Sequence, residues 1–381
     1  MQNFKDQDTH ASLTDKARPS KRRPVNGTVM FATTIPGLAP ILIEELQTLE
    51  ITGGAKTGFD GRSEVVVFEA SRGTRAFALQ SKIAEDIFVQ LGTVQRQETH
   101  KPLEMAKRIW QSDDVQRALS IYAEATKPLR ANMTFRVIVR VLDERDFQRT
   151  DLRDQLIALI QKDKPRWEFA DPASMEVWVI EYQPGTFIAG LRLSNASMRQ
   201  HDGREVERSG ALRPTVAAAM IQLTDKAYGT LLDPCCGSGT ILSEGIKSGW
   251  KVIGSDIDPE AVAISQQNAP SAVITMADAR SIHCPNESID ACISNLPFGK
   301  QFSVQGDSTT WLKDILKEMS RVTREQGSII LLIPDIPQTA IPQEIRFSKK
   351  YPIRLLGTDT TIWKFEKLAN KKSTNAIGFQ V

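Results

Sequence analysis

The segment LLDPCCGSGTILSEGIKSGWKVIGSDIDPEAV (residues 231–262) decides the fold. It reads as strand, glycine-rich turn, helix, strand and terminal acid. Gly237 and Gly239 fall where the chain swings from strand to helix, and a residue without Cβ lets the backbone approach a ligand closely. Asp256 closes the second strand, where a carboxylate accepts from both hydroxyls of a ribose. A GxG pair alone is a weak signal. Turn, helix and acid at these spacings point together to a nucleoside, and a purely structural turn leaves Asp233 and Asp256 unexplained.

A dinucleotide fingerprint needs a third small residue three positions after the second Gly, and that position is Leu242. No Lys or Arg stands nearby for a pyrophosphate, and Asp233 precedes the turn. An acid there suits a cationic ligand, such as the ammonium of a methionine moiety. The expected cofactor is therefore S-adenosylmethionine. In MADAR (276–280), Asp278 follows the third strand and is placed to accept from an adenine amino group; its plainer role is a helix cap or a solvated loop acid. SNLPFGK (294–300) follows the fourth strand. Asn295 offers an amide oxygen, Leu296 a carbonyl held rigid by Pro297, and Phe298 a ring face. Together they suit a flat group bearing an exocyclic amine, with a flipped base stacked on the ring. A plain turn with a core Phe is the bland alternative.

Outward from this segment, short apolar runs alternate with helical patterns. Strands are expected at 231–233, 252–256, 272–276, 289–294 and 328–333, and an Ala-rich helix at 213–223. That alternation predicts a parallel sheet covered on both faces. The runs 353–356 and 361–365 flank Gly357-Thr358-Asp359 with no room for a helix, which predicts an antiparallel hairpin at one edge. Seven strands with such an edge suit methyl transfer better than a dehydrogenase.

The front half is also αβ. Residues 28–34 read as a strand, Pro36-Gly37 breaks it, and Leu38, Ile41, Leu42 and Leu46 follow at helical spacing. Residues 65–68 are a further strand. From Lys101 a second unit begins, where Phe135, Val137, Val139 and Val141 alternate with Arg136, Ile138 and Arg140. Thr150 and Asp151 read as N-caps of a helix carrying Leu152, Leu156, Leu159 and Ile160. Strands at 175–182 and 186–193 meet at Pro184-Gly185. Arg136, Arg140, Lys162 and Lys164 are candidates for phosphate contacts, with ordinary solvated charges as the bland alternative. Residues 1–26, with Lys21, Arg22 and Arg23, read as a disordered tail, with an RNA-touching arm as the sharper alternative.

The chain has 381 residues, 41% hydrophobic and 25% charged, which excludes a wholly disordered chain. No run approaches the ~18 apolar residues of a membrane span. The opening MQNFKDQDTH lacks the features of a signal or transit peptide, so a cytoplasmic protein is expected. Lys plus Arg is 48 against 46 for Asp plus Glu, a balance that neither favours nor excludes nucleic acid. Cys235, Cys236, Cys284 and Cys292 lack zinc spacing and read as reduced thiols. His10, His100, His201 and His283 form no metal or triad pattern, so no metal is expected.

These segments resemble the THUMP-domain RNA methyltransferases that modify the 2-amino group of guanine. DPCCGSGT (233–240) is similar to their cofactor loop and NLPFGK (295–300) to their catalytic motif, although many members carry Asp where this chain has Asn295. GALRPTVAAAM (210–220) resembles the helix start before that loop. FATTIPGLAPILIEEL (31–46) is similar to the opening of their ferredoxin-like domain, and TFRVIVRV (134–141) through FIAGLRLS (187–194) to the THUMP domain.

The resemblance implies an α/β chain: a seven-stranded Rossmann-like S-adenosylmethionine methyltransferase domain at 205–368, preceded by smaller α+β units. These are a ferredoxin-like domain at 27–100 and an RNA-binding THUMP domain at 101–204, with tails at 1–26 and 369–381. It implies a guanine-N2 methyltransferase acting on structured RNA, tRNA foremost, with no membrane partner. The catalytic residues implied are Asn295, Leu296, Pro297 and Phe298. The cofactor residues implied are Thr215, Asp233, Cys235, Gly237, Gly239, Thr240, Asp256, Ile257, Asp278, Ala279 and Asn295. The rival readings are an amine methyltransferase for ribosomal RNA, DNA adenine or protein glutamine, and an inactive RNA-binding factor.

Overall fold

The computed structural model describes residues 27–51, 55–142, 144, 146–195, 197–201, 210–224, 226–297, 308–355 and 357–369. The expected tail 1–26, Phe298 and residues 370–381 lie outside the described residues.

The front half runs β1 (Gly27–Thr34), α1 (Ala39–Thr48), β2 (Lys56–Phe59), β3 (Glu64–Ser71) and β4 (Asp86–Gln95). It continues with α2 (Pro102–Trp110), α3 (Asp114–Ala125), β5 (Thr134–Arg140), α4 (Arg149–Asp163), β6 (Glu168–Phe169), β7 (Met175–Gln183) and β8 (Thr186–Arg192). All eight strands share one sheet, in the order β2-β3-β1-β4-β8-β7-β5-β6. The sheet runs unbroken across residue 100, because β4 pairs with β8 from Phe88↔Arg192 to Gln95↔Thr186. Its outer strand curls back: the Gln183 side-chain amide donates to the Thr57 carbonyl at 2.9 Å. Inside the curl lie Phe31 and Phe88, stacked with centroids 4.5 Å apart, and Trp178.

Alternation along β5 puts Arg136 and Arg140 on this inner face, where cross-strand acids meet them. Arg136 donates to Asp171 and Glu176, both at 2.7 Å. Arg140 donates to the buried Asp60 at 2.5 Å and lies over the Trp178 ring. The expectation that these two arginines face phosphates is corrected: each is already held by carboxylates. The helix after them also starts earlier than expected. Gln148 is the N-cap of α4, and Asp151 sits at the third helical position, accepting from the Gln148 amide at 3.0 Å. Thr150 lies within the helix, because an acid three residues past the cap closes a capping box.

The back half runs α5 (Ser197–Gln200), α6 (Pro214–Gln222), β9 (Thr230–Asp233), α7 (Thr240–Lys247), β10 (Lys251–Asp256), α8 (Pro259–Asn268) and β11 (Val273–Met276). Then come β12 (Ile289–Asn295), α9 (Ser308–Val322), β13 (Thr323–Leu332), β14 (Ile345–Leu355) and β15 (Thr358–Lys367). The sheet order is β11-β10-β9-β12-β13-β15-β14, parallel except for β15, which runs against both its neighbours. This is the expected doubly covered sheet with a hairpin edge. The order reverses between β9 and β12, and ligands of open α/β sheets bind at the carboxyl ends of strands at such a switch.

The halves dock through the turn after β1. The Arg354 amide donates to the Pro36 carbonyl at 3.0 Å. Gly37 has φ +97°, and a Cβ there would collide with the Pro352 carbonyl and Ile353. Arg213 adds an ion pair to Glu85 at 2.5 Å. Gly37→Ala combines backbone strain with a clash against main chain, so thermal unfolding should report a loss of ~2 kcal/mol or more. An unchanged melting temperature would mean that this docking contributes nothing to stability.

Candidate active site

Asp233 ends β9 and is 1% exposed. Its Oδ1 accepts from the Ser294 hydroxyl at 2.7 Å and from the Cys235 amide at 3.1 Å. Burial pushes this carboxyl up to about 7, although both bonds pull it down. Because the folded value lies above the ordinary 3.8, the folded state holds the proton more tightly than the unfolded chain. The stability this gives is complete below about pH 4 and is lost as pH rises through about 7. Asp233→Asn should remove that part of the pH dependence in thermal melts. Parallel curves for the variant and the parent chain would refute the assignment.

The chain then turns through Gly237, at φ +52°, where a Cβ would meet nothing within 4 Å. The space beside it is open cavity. Asp256, at the end of β10, reaches back: its Oδ2 accepts from the Gly237 amide at 2.9 Å and its Oδ1 from the Asp258 amide at 3.0 Å. Ile257 follows, apolar yet 67% exposed, and lines the same cavity. After β11, Asp278 is gripped by Arg280, whose Nη2 donates to Oδ2 at 2.6 Å. That guanidinium holds the carboxyl below its usual range. Asn295 ends β12, and its Oδ1 is buried with no hydrogen-bond partner among the described residues.

These residues surround one cavity of about 740 Å³. Of the sequence-expected set, Asp233, Cys235, Gly237, Thr240, Asp256, Ile257, Asp278, Ala279, Asn295, Leu296 and Pro297 line it. Gly239 does not; it caps α7 and packs against Ser265. Thr215 stands behind the wall, fully buried, with its hydroxyl unpartnered. Burial and the neighbouring acids push the Cys235 and Cys236 thiols up, which favours the protonated form of both.

Sequence reasoning missed Arg280, Trp311, and the stretch from Gly210 to Leu212, all of which line the cavity. The Gly210–Leu212 stretch lay inside a segment already singled out. Trp311 carried a signal too: with Ile315 it makes an i, i+4 apolar pair on α9. Among the described residues no group of His, Cys, Asp or Glu is placed to hold a metal ion, and no helix is long and apolar enough to cross a membrane.

Residues 201–341 match the family described as RMKL-like, methyltransferase domain. The human U6 snRNA (guanine-N(2))-methyltransferase THUMPD2 is 36% identical over 137 residues, covering 34% of this chain and 26% of that protein. The tRNA (guanine(10)-N2)-dimethyltransferase of Methanothermobacter thermautotrophicus is 30% identical over 156 residues, covering 38% of this chain and 46% of that protein. The chain thus spans between a quarter and about half of these relatives. The crystal structure of TrmN from Thermus thermophilus is similar over 90% of this chain and 100% of that one, with TM-score 0.71 and 21% identity. It shares the architecture of both halves.

Proposed function

We propose that this chain is an S-adenosylmethionine-dependent RNA methyltransferase that modifies the 2-amino group of a guanosine, with tRNA as the leading substrate and the cytoplasm as its compartment. One observation carries the reading. The Asn295 Oδ1 is a buried acceptor without a partner among the described residues, and Asn295 lines the cavity. A buried polar atom left unpaired costs ~1–3 kcal/mol, and an exocyclic amine would satisfy it.

The residues fit the cofactor. Open space beside Gly237 admits a ligand against the backbone. Among the described residues the bonds to Asp233 fall on Oδ1, which leaves Oδ2 for a methionine ammonium. Asp256 retains lone pairs for ribose hydroxyls, Ile257 supplies an apolar face for a purine, and Asp278 is kept ionised as an acceptor. The cofactor supplies an electrophilic methyl on a sulfonium. The Asn295 Oδ1 and the Leu296 carbonyl would accept hydrogen bonds from the two amine N–H groups and so aim the nitrogen lone pair at the methyl; as the N–C bond forms the S–C bond breaks, the neutral thioether leaves, and the methylated nitrogen sheds one proton to solvent. Pro297 restricts the backbone that presents that carbonyl. The rate enhancement then comes mainly from positioning. The curated relatives above are guanine-N2 enzymes, which favours guanine over adenine or glutamine.

Unmodified total tRNA incubated with the protein and S-adenosylmethionine, then digested to nucleosides, should yield N2-methylguanosine. Methylation of another base alone, or of protein alone, would overturn the substrate assignment. A chain that binds S-adenosylmethionine and methylates nothing would favour the inactive RNA-binding factor.

A further inference from the structure

The chain's formal charge is only +2, yet β14 (IRFSKKYPIRL) carries Arg346, Lys349, Lys350 and Arg354 and no acid. β14 is the last strand of its sheet, so one of its edges is unpaired. Ser348 forms a bulge, residues 346–350 are all exposed, and the Phe347 ring is 46% exposed among the cations.

Register places this strand relative to the cavity. Asn295 pairs with Leu332, Leu332 with Ile362, and Ile362 with Tyr351. Tyr351 therefore stands in the same cross-sheet row as the proposed catalytic amide, three strand spacings or about 14 Å away. Lys349 and Lys350 sit just below that row. Arg354 stands above it, on a hairpin that rises past the carboxyl end of β12. The front half docks on this same hairpin through Pro36 and Gly37.

Three of the cations are loosely held. Lys349 is 3.9 Å from Glu44 and Arg354 is 3.7 Å from Asp359, with all four side chains more than half exposed. Lys350 lies over the Trp363 ring, 5.1 Å from its centroid. Exposed pairs at such distances contribute little and exchange readily for other anions. Arg136 and Arg140 of β5 differ, being held by the partly buried Glu176 and the buried Asp60. Lys349 also lies over the Tyr351 ring, 4.7 Å from its centroid, and Arg346 has a close carboxylate, Glu366 at 2.6 Å.

Resting on the reading of the chain as an RNA enzyme, we infer that β14 is a track for the phosphodiester backbone of the substrate RNA. Lys349, Lys350 and Arg354 neutralise successive phosphates between the front half and the cavity. The competing role for such residues is protection of a sheet edge, since lysines, a bulge and a proline also discourage strand addition by another chain.

The test is the full-length triple variant K349Q/K350Q/R354Q, which keeps the edge polar. Binding of unmodified total tRNA is measured across a salt series, beside S-adenosylhomocysteine affinity and light scattering. The expected result is an affinity loss on the order of tenfold at low salt, with the log–log salt slope shallower by about 2–3. Cofactor-product affinity should be unchanged. Parent-like RNA affinity and slope would overturn the inference, and with new aggregation would assign the residues to edge protection. The readout needs no methyl transfer, so failure of the guanine assignment is scored separately by the nucleoside digest.

Discussion

Asn295→Ala is expected to lower turnover by about 10²–10³-fold while S-adenosylhomocysteine binding stays close to that of the parent chain. The magnitude is that of removing one preorganised polar group from a reacting centre. The split follows from geometry. Asn295 ends β12, whereas the acids assigned to the cofactor end β9 and β10 or follow β11. Its Oδ1 has no partner among the described residues, so removing it orphans none of them. Asn295→Asp is the informative companion. It keeps an acceptor at the same place and adds a charge, beside a buried Asp233 that already resists ionising. Parent-level turnover in Asn295→Ala would take this amide out of the reaction.

Asp256→Ala should weaken cofactor binding by about 10²–10⁴-fold. Two hydroxyl bonds to a charged acceptor contribute ~1.5–3 kcal/mol each, and each 1.4 kcal/mol is tenfold in affinity. The structure adds a second cost. The same carboxylate holds the Gly237 and Asp258 amides, so its loss also frees the turn that borders the cavity. Asp256→Asn separates the two effects. It keeps an oxygen for one amide but replaces the other acceptor with a donor. Calorimetry with S-adenosylhomocysteine reads the affinity, and an apo thermal melt reads the turn. Unchanged affinity in the Ala variant would mean that the ribose is held elsewhere.

The back half was largely legible because its information is local. The Gly turn, the acid at the end of β10, and the closing hairpin each lie within a few residues of the signal that announces them. The front half was less so. β4 reads as DIFVQLGTVQ, with Gly92 interrupting its alternation at a register shift opposite β8. Its pairing with β8 joins residues about a hundred positions apart, and no local pattern encodes such a partner. Arg136 and Arg140 show the same limit at the level of side chains. Alternation along β5 says that the two faces differ, but not that the polar face meets Glu176 and Asp60 across the sheet. Arg280 was passed over because its pairing with Asp278 depends on a loop conformation rather than a spacing.

The docking of the front half has a consequence for how the chain is made. Pro36 and Gly37 leave the ribosome about 300 residues before their partners Pro352, Ile353 and Arg354. β4 likewise waits for β8. Until residues 186–192 emerge the β4 edge lacks its mate, and until residues 352–354 emerge the Pro36–Gly37 turn lacks its own. Such distant pairing slows folding and exposes sticky surface meanwhile. Nascent chains halted before residue 345 should therefore be rescued by chaperones more readily than chains extended past residue 369, and a lesion in the β14–β15 hairpin should reach back to the turn after β1.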